Sequence, residues 1–157
     1  MKDEKVLIVY YSYSGNTKAI AEIIKEKTNA DMFQIETFKE YPANYNDIVK
    51  LAKHEKENNI NPELKKRIEN ISEYDLIYLG TPVWWYTMSN PVKTFILEND
   101  LSGKIIKPFC THGGGGASST FTDMVKFAPK TIFLDGLSVY ERGSGSITAD
   151  IEKWINQ

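Results

Sequence analysis

The chain has a single cysteine, Cys110, so it has no second thiol for an intrachain disulfide and no thiolate set for zinc or an iron–sulfur cluster. No metal site is expected. No apolar run is long enough to cross a bilayer. The start, Met1-Lys2-Asp3-Glu4-Lys5, passes into a short apolar segment ending at Tyr11, without the long apolar core and small-residue cleavage site of a secretory signal. These absences imply a cytoplasmic protein. Charge of one sign is also missing: 19 basic residues against 21 acidic ones leave a net charge of -2, too balanced to draw in a nucleic-acid backbone or an anionic membrane. Nucleic acid and membrane are excluded as partners on that ground. An apolar fraction of 41% and a charged fraction of 25% leave no stretch that reads as disordered. At 157 residues, one domain over 1–157 with one core and one principal site is expected.

What is present alternates. Lys5 to Tyr11 is a near-continuous apolar, β-rich run, as a strand covered on both faces requires. A helix follows, with Ile20, Ile23 and Ile24 at helical spacing and Lys25 and Lys27 near its end. Met32 to Glu36 is a second strand, and residues 38–61 read as a surface excursion with an exposed helix over Lys50 to Glu57. Asn61-Pro62 is a cap followed by proline, and Leu64, Ile68 and Ile71 at i, i+4 and i+7 predict a short amphipathic helix. Asp75 to Gly80 reads as strand three, Asn90-Pro91 as a second capped helix start, and Ile105 to Cys110 as strand four. Ser118 to Phe127 reads as a helix and Thr131 to Tyr140 as strand five, interrupted at Asp135-Gly136. Ile147, Ile151, Trp154 and Ile155 close the chain with an amphipathic helix. The expected fold class is α/β: a three-layer open sandwich with a five-stranded parallel sheet and helices on both faces. In such sheets ligands sit beyond the carboxyl ends of the strands.

Three loops lie there. Ser12-Tyr13-Ser14-Gly15-Asn16-Thr17 combines hydroxyls, an amide, a glycine and the free N–H groups of a helix start, with no acid. That composition suits a phosphate, and a plain Ser/Asn-capped turn is the alternative. Thr81-Pro82-Val83-Trp84-Trp85-Tyr86-Thr87-Met88 places three aromatics in a row, able to stack on a flat ring whose polar edge Thr81 and Thr87 could bond, or else to cover the core or a subunit contact. Thr111-His112-Gly113-Gly114-Gly115-Gly116-Ala117-Ser118, with four successive glycines, offers backbone amides that can approach a planar ligand, or a flexible loop with none. His112 has no carboxylate partner visible in the sequence, so no catalytic side chain is assigned. Cys110 reads as inert packing.

With these loops in this order, the chain resembles the flavodoxin family, in particular its short members whose middle loop reads Thr-Pro-x-Trp-Trp. The resemblance covers nearly the whole length. It implies strand order 2-1-3-4-5 and noncovalent FMN as the cofactor. It further implies that Ser12, Ser14, Asn16 and Thr17 hold the phosphate, that Trp84 or Trp85 stacks on or flanks the ring, and that the backbone of 113–116 meets the pyrimidine edge. The flavin would then carry the chemistry. Three departures stand out: a net charge of -2 where one-electron carriers of the family are strongly acidic, Tyr86 where many have a glycine after the tryptophan, and glycines where many have a second stacking aromatic.

The leading expectation is electron transfer through FMN to a redox partner protein, by a monomer or weak homodimer. The alternative is an NAD(P)H:quinone-type oxidoreductase, with the glycine loop leaving room for a planar substrate. A flavin-free signalling domain of the same topology lacks its phosphoacceptor, because Gly80-Thr81 ends strand three without an aspartate. No G-x-x-x-x-G-K-[ST], G-x-G-x-x-G or G-x-S-x-G motif is present, and Cys110 lacks the arginine of a thiol phosphatase loop.

Overall fold

The computed structural model describes residues 4–157; the first three residues of the charged start lie outside it. The strands are β1 (Val6–Tyr10), β2 (Asp31–Gln34), β3 (Leu76–Trp84), β4 (Thr87–Met88), β5 (Ile105–His112), β6 (Ile132–Phe133) and β7 (Leu137–Tyr140). The α-helices are α1 (Asn16–Thr28), α2 (Tyr45–Glu57), α3 (Asn90–Glu98), α4 (Thr120–Phe127) and α5 (Ile147–Ile155). The parallel order is β2-β1-β3-β5, followed by β6 beside the first half of β5 and β7 beside its second half. Counting β6 and β7 as the broken fifth strand gives the expected 2-1-3-4-5; β4, a two-residue return antiparallel to the end of β3, brings the sheet to seven strands.

The break in the fifth strand has a packing cause. A Cβ on Gly136 would stand 2.5 Å from the Phe121 ring, and the Trp154 indole donates to the Asp135 carbonyl at 2.9 Å. Helices from both faces therefore press on the chain there.

Period-two alternation sorts the central strands between two cores. Leu7, Val9, Ile77 and Leu79 pack with Val92 and Phe95 of α3 and Met124 of α4. Ile8, Tyr10, Tyr78 and Phe109 pack on the other face with Ile20 and Ile24 of α1 and Ile151 and Trp154 of α5. Gly80 lies within β3, where the Phe109 ring fills the place of its side chain, 2.2 Å from any Cβ. Buried Lys107 donates to the Trp154 and Ile155 carbonyls at 2.8 and 3.0 Å, and so satisfies two C-terminal carbonyls of α5.

Two expectations are corrected. No α-helix forms after Asn61-Pro62. Leu64 bridges antiparallel to Thr37, with the Phe38 amide donating to the Glu63 carbonyl and the Lys65 amide to the Glu36 carbonyl. Only a 3-10 turn, Ile71–Glu73, follows. Three apolar residues make too narrow a stripe to hold a helix, and partners from residues 36–38 outweigh the local cap signal. The helix within 38–61 is longer than expected, starting at Tyr45 under an Asn44 cap, and is no bare surface excursion. It buries Ile48, Ala52 and Glu55.

Candidate functional site

The three loops meet beyond the carboxyl ends of β1, β3 and β5, around a cleft of about 530 Å³. That volume is in the range of roughly 300–1,000 Å³ usual for small-molecule sites.

In the first loop, the Ser12 hydroxyl accepts from the amides of Gly15 (3.2 Å) and Lys18 (3.1 Å). It curls the chain and leaves the amides of Asn16 and Thr17 as first-turn donors of α1. Gly15 is the N-cap at φ 95, a left-handed conformation that glycine adopts without steric cost. The first turn of α1 holds no acid. Buried Thr17 shares a 2.7 Å hydrogen bond with Thr111 and thereby joins the first loop to the third. Tyr13, Ser14 and Asn16 line the cleft, whereas Ser12, Gly15 and Thr17 build the turn behind them.

In the second loop β3 runs on past Gly80 to Trp84, so Pro82 and Val83 are strand residues that reach the cleft. Trp84 stands edge-on to a collar of Tyr11, Tyr13 and Tyr41, at centroid distances of 5.5, 6.1 and 5.2 Å. The collar is itself braced. The Tyr13 hydroxyl donates to the Pro42 carbonyl, and Tyr41 donates to Glu55 at 2.6 Å. Asn90 donates to the same Glu55 oxygen at 2.9 Å. Burial, reinforced by the Glu55 carboxylate, drives the Tyr41 hydroxyl far above its ordinary pKa, so it stays a donor.

Trp85 is clasped by α2. Its indole N–H donates to the Val49 carbonyl at 2.9 Å, Lys53 lies 5.1 Å above its ring, and Lys56 donates to its carbonyl at 2.6 Å. Trp85 (φ 50) and Tyr86 (φ 68) form the turn between β3 and β4, both left-handed. Thr81 and Thr87 do not meet the cleft. Thr81 is fully buried, accepts from the Ser89 amide at 2.9 Å and bonds its hydroxyl; Thr87 donates to Asp123 at 2.5 Å. They hold the hairpin onto α3 and α4.

In the third loop the His112 Nδ1 accepts from the amides of Gly114 (3.1 Å) and Gly116 (3.2 Å). The imidazole thus shapes the glycine turn as an acceptor and is not positioned as a proton donor at Nδ1. Gly113 and Gly115 keep the loop's remaining amides. A Cβ on Gly113, Gly115 or Gly116 would meet nothing within 4 Å, so the space beside them is open.

Sequence reasoning missed one wall and one corner. Tyr45, Ile48, Val49 and Ala52 of α2 line the cleft, as do Ser118 and Glu141. The apolar residues of α2 at i, i+3, i+4 and i+7 are visible in the sequence as a helix stripe, but nothing in it says what that stripe faces.

The flavodoxin family model described as "Flavodoxin" matches residues 5–157. The chain belongs to the flavodoxin family. Among solved structures it is similar to a proposed flavoprotein from Bacteroides uniformis, with 26% identity, a TM-score of 0.87, and coverage of 99% of this chain and 100% of that one. A flavoprotein from Lactobacillus acidophilus in complex with FMN has 23% identity and a TM-score of 0.80, covering 98% of this chain and 99% of that one. A curated relative, the NAD(P)H dehydrogenase (quinone) of Cupriavidus metallidurans, is 26% identical over 88% of this chain and 73% of its own length. Among the described residues of this flavodoxin-family chain no helix is long and apolar enough to cross a membrane.

Proposed function

We propose that the cleft binds FMN noncovalently and that the protein transfers electrons through it. One observation carries the reading: a single cleft joins an acid-free helix start, a braced aromatic wall and a glycine loop with open space beside it. A phosphate suits the first-turn amides of α1 with the side chains of Ser14 and Asn16, and a flat ring suits the space between Trp84, Trp85 and residues 113–116. One phosphate cradle fits a mononucleotide better than a dinucleotide. The bound flavin supplies the redox chemistry. The protein's residues hold the ring against water: the tyrosine collar fixes Trp84, α2 fixes Trp85, and His112 sets the glycine turn. The visible spectrum of the purified chain titrated with FMN tests this, followed by anaerobic stepwise reduction. A shifted, saturable flavin spectrum is expected; an unchanged spectrum refutes the reading.

A second reading is favoured by the open space beside Gly113, Gly115 and Gly116, which leaves room for a planar substrate next to the ring. In that reading the protein takes electrons from NAD(P)H and passes them to a quinone, as the name of the Cupriavidus relative says of that protein. NAD(P)H oxidation that depends on added soluble quinone separates it from a pure carrier.

A further inference from the structure

The turn after β7 brings a cation to the anion cradle from the far end of the chain. The Glu141 amide donates to the His112 carbonyl at 2.8 Å and the Gly143 amide to the Tyr140 carbonyl at 2.8 Å, so the turn is sewn to the end of β5. Glu141 is left-handed at φ 52, and Gly143 at φ 84 has no room for a Cβ, which would stand 2.5 Å from the Ile147 side chain. A non-glycine residue in that region is strained and persists only where its surroundings hold it.

What this turn positions is Arg142. Its Nε donates to the Asn16 side-chain oxygen at 3.0 Å, and its Nη2 stands 3.0 Å from where a Cβ on Gly15 would be. Arg142 makes no ion pair with a carboxylate among the described residues, although its neighbour Glu141 lines the cleft. Asn16 is neutral and occupies only one of the five donors of the guanidinium. A full positive charge with unspent donors therefore lies over the glycine of a cradle otherwise built from neutral groups.

We infer that Arg142 binds the phosphate of the flavin and selects a phosphorylated flavin over the bare ring. The inference rests on the FMN reading above and adds to it a residue more than a hundred positions from the first loop. A planar fork meets phosphate oxygens two at a time, which an ammonium does not. Because Arg142 is exposed, solvent screens it, and an effect of about tenfold on affinity is expected, not a loss of binding.

The test is titration of the purified chain with FMN and with riboflavin, read by flavin fluorescence quenching at low and high salt. Wild type is compared with Arg142→Gln and Arg142→Lys, with circular dichroism to confirm the fold. Arg142→Gln should weaken FMN about tenfold and leave riboflavin unchanged; Arg142→Lys should recover part of the loss, and high salt should shrink the difference. Inorganic phosphate should compete with FMN more strongly on wild type than on Arg142→Gln. Equal weakening of both flavins, or no change in either, overturns the assignment while leaving FMN binding by wild type intact. Failure of wild type to bind either flavin removes the FMN reading itself, and the assignment with it.

Discussion

The turn between β3 and β4 is built from the wrong residues for its shape, and this can be measured. A two-residue hairpin with both central residues left-handed ordinarily takes Asn-Gly or Gly-Gly, because a Cβ there crowds the following carbonyl. Here Trp85 (φ 50) and Tyr86 (φ 68) occupy those positions. The left-handed conformation costs a non-glycine residue about 1–2 kcal/mol. Glycine gives back about 0.5–1 kcal/mol through its freer unfolded chain. Tyr86→Gly should therefore be more stable than Tyr86→Ala by about 0.5–1 kcal/mol. Both variants lose the same side chain, which is 69% exposed, so the comparison isolates the backbone. In urea, with a slope of roughly 2 kcal/mol per molar, the midpoint of the glycine variant should lie about 0.3–0.5 M above that of the alanine variant. The turn survives in the wild type because its carbonyls are held, Trp85 by Lys56 at 2.6 Å and Tyr86 by the Ser119 amide at 2.9 Å. An alanine variant as stable as the glycine variant would refute the strain argument.

Further outcomes follow from the packing. Lys107→Met should cost about 1–3 kcal/mol in urea denaturation, because the Ile155 carbonyl loses the ammonium and the Trp154 carbonyl keeps only the Gln157 amide at 3.3 Å; a neutral result would mean that water replaces the ammonium. Gly80→Ala should lower stability by about 1–3 kcal/mol through collision with the Phe109 ring, and adding Phe109→Leu should restore part of that loss; strict additivity of the two changes would count against the collision. Burial pushes the Cys110 thiol up from 9.0 to about 11, so the folded state holds its proton more tightly than the unfolded state. Its contribution is complete below pH 9 and is lost as pH rises through about 11, at most about 3 kcal/mol. Urea midpoints should fall over that window, less steeply for Cys110→Ala, and identical slopes would refute the assignment.

Most of the fold was legible because buried strands and amphipathic helices leave periodic marks. Val6 to Tyr10 carries a continuous apolar run, and Ile105 to Cys110 one broken only by Lys107, as a doubly covered strand needs. The interruption at Asp135-Gly136 marked a real break, since Gly136 is where Phe121 presses in. Leu64, Ile68 and Ile71 misled because their spacing fits a helix, while hydrogen bonds to residues 36–38, far back in the sequence but adjacent in space, outweighed that local signal. At the site, the three loops were legible from composition. The inward commitment of Thr81 and Thr87 was not, because a hydroxyl carries no sign of which partner it will find. Arg142 was invisible for the opposite reason: one exposed arginine among many solvated charges gains meaning only when folding sets it beside Gly15.

The roof of the cleft is tied down by little. Helix α2 buries only Ile48, Ala52 and Glu55, and its other bonds run to Trp85, Tyr41 and Asn90. A segment so lightly anchored opens at lower free energy than the sheet beneath it. A ligand that binds only the closed arrangement raises the opening cost by RT ln(1 + [L]/Kd), about 2.7 kcal/mol at a hundredfold excess over Kd. The amides of α2 therefore act as a gauge of occupancy: their hydrogen exchange should slow with ligand concentration, while amides in the centre of β1 and β3 continue to report global unfolding.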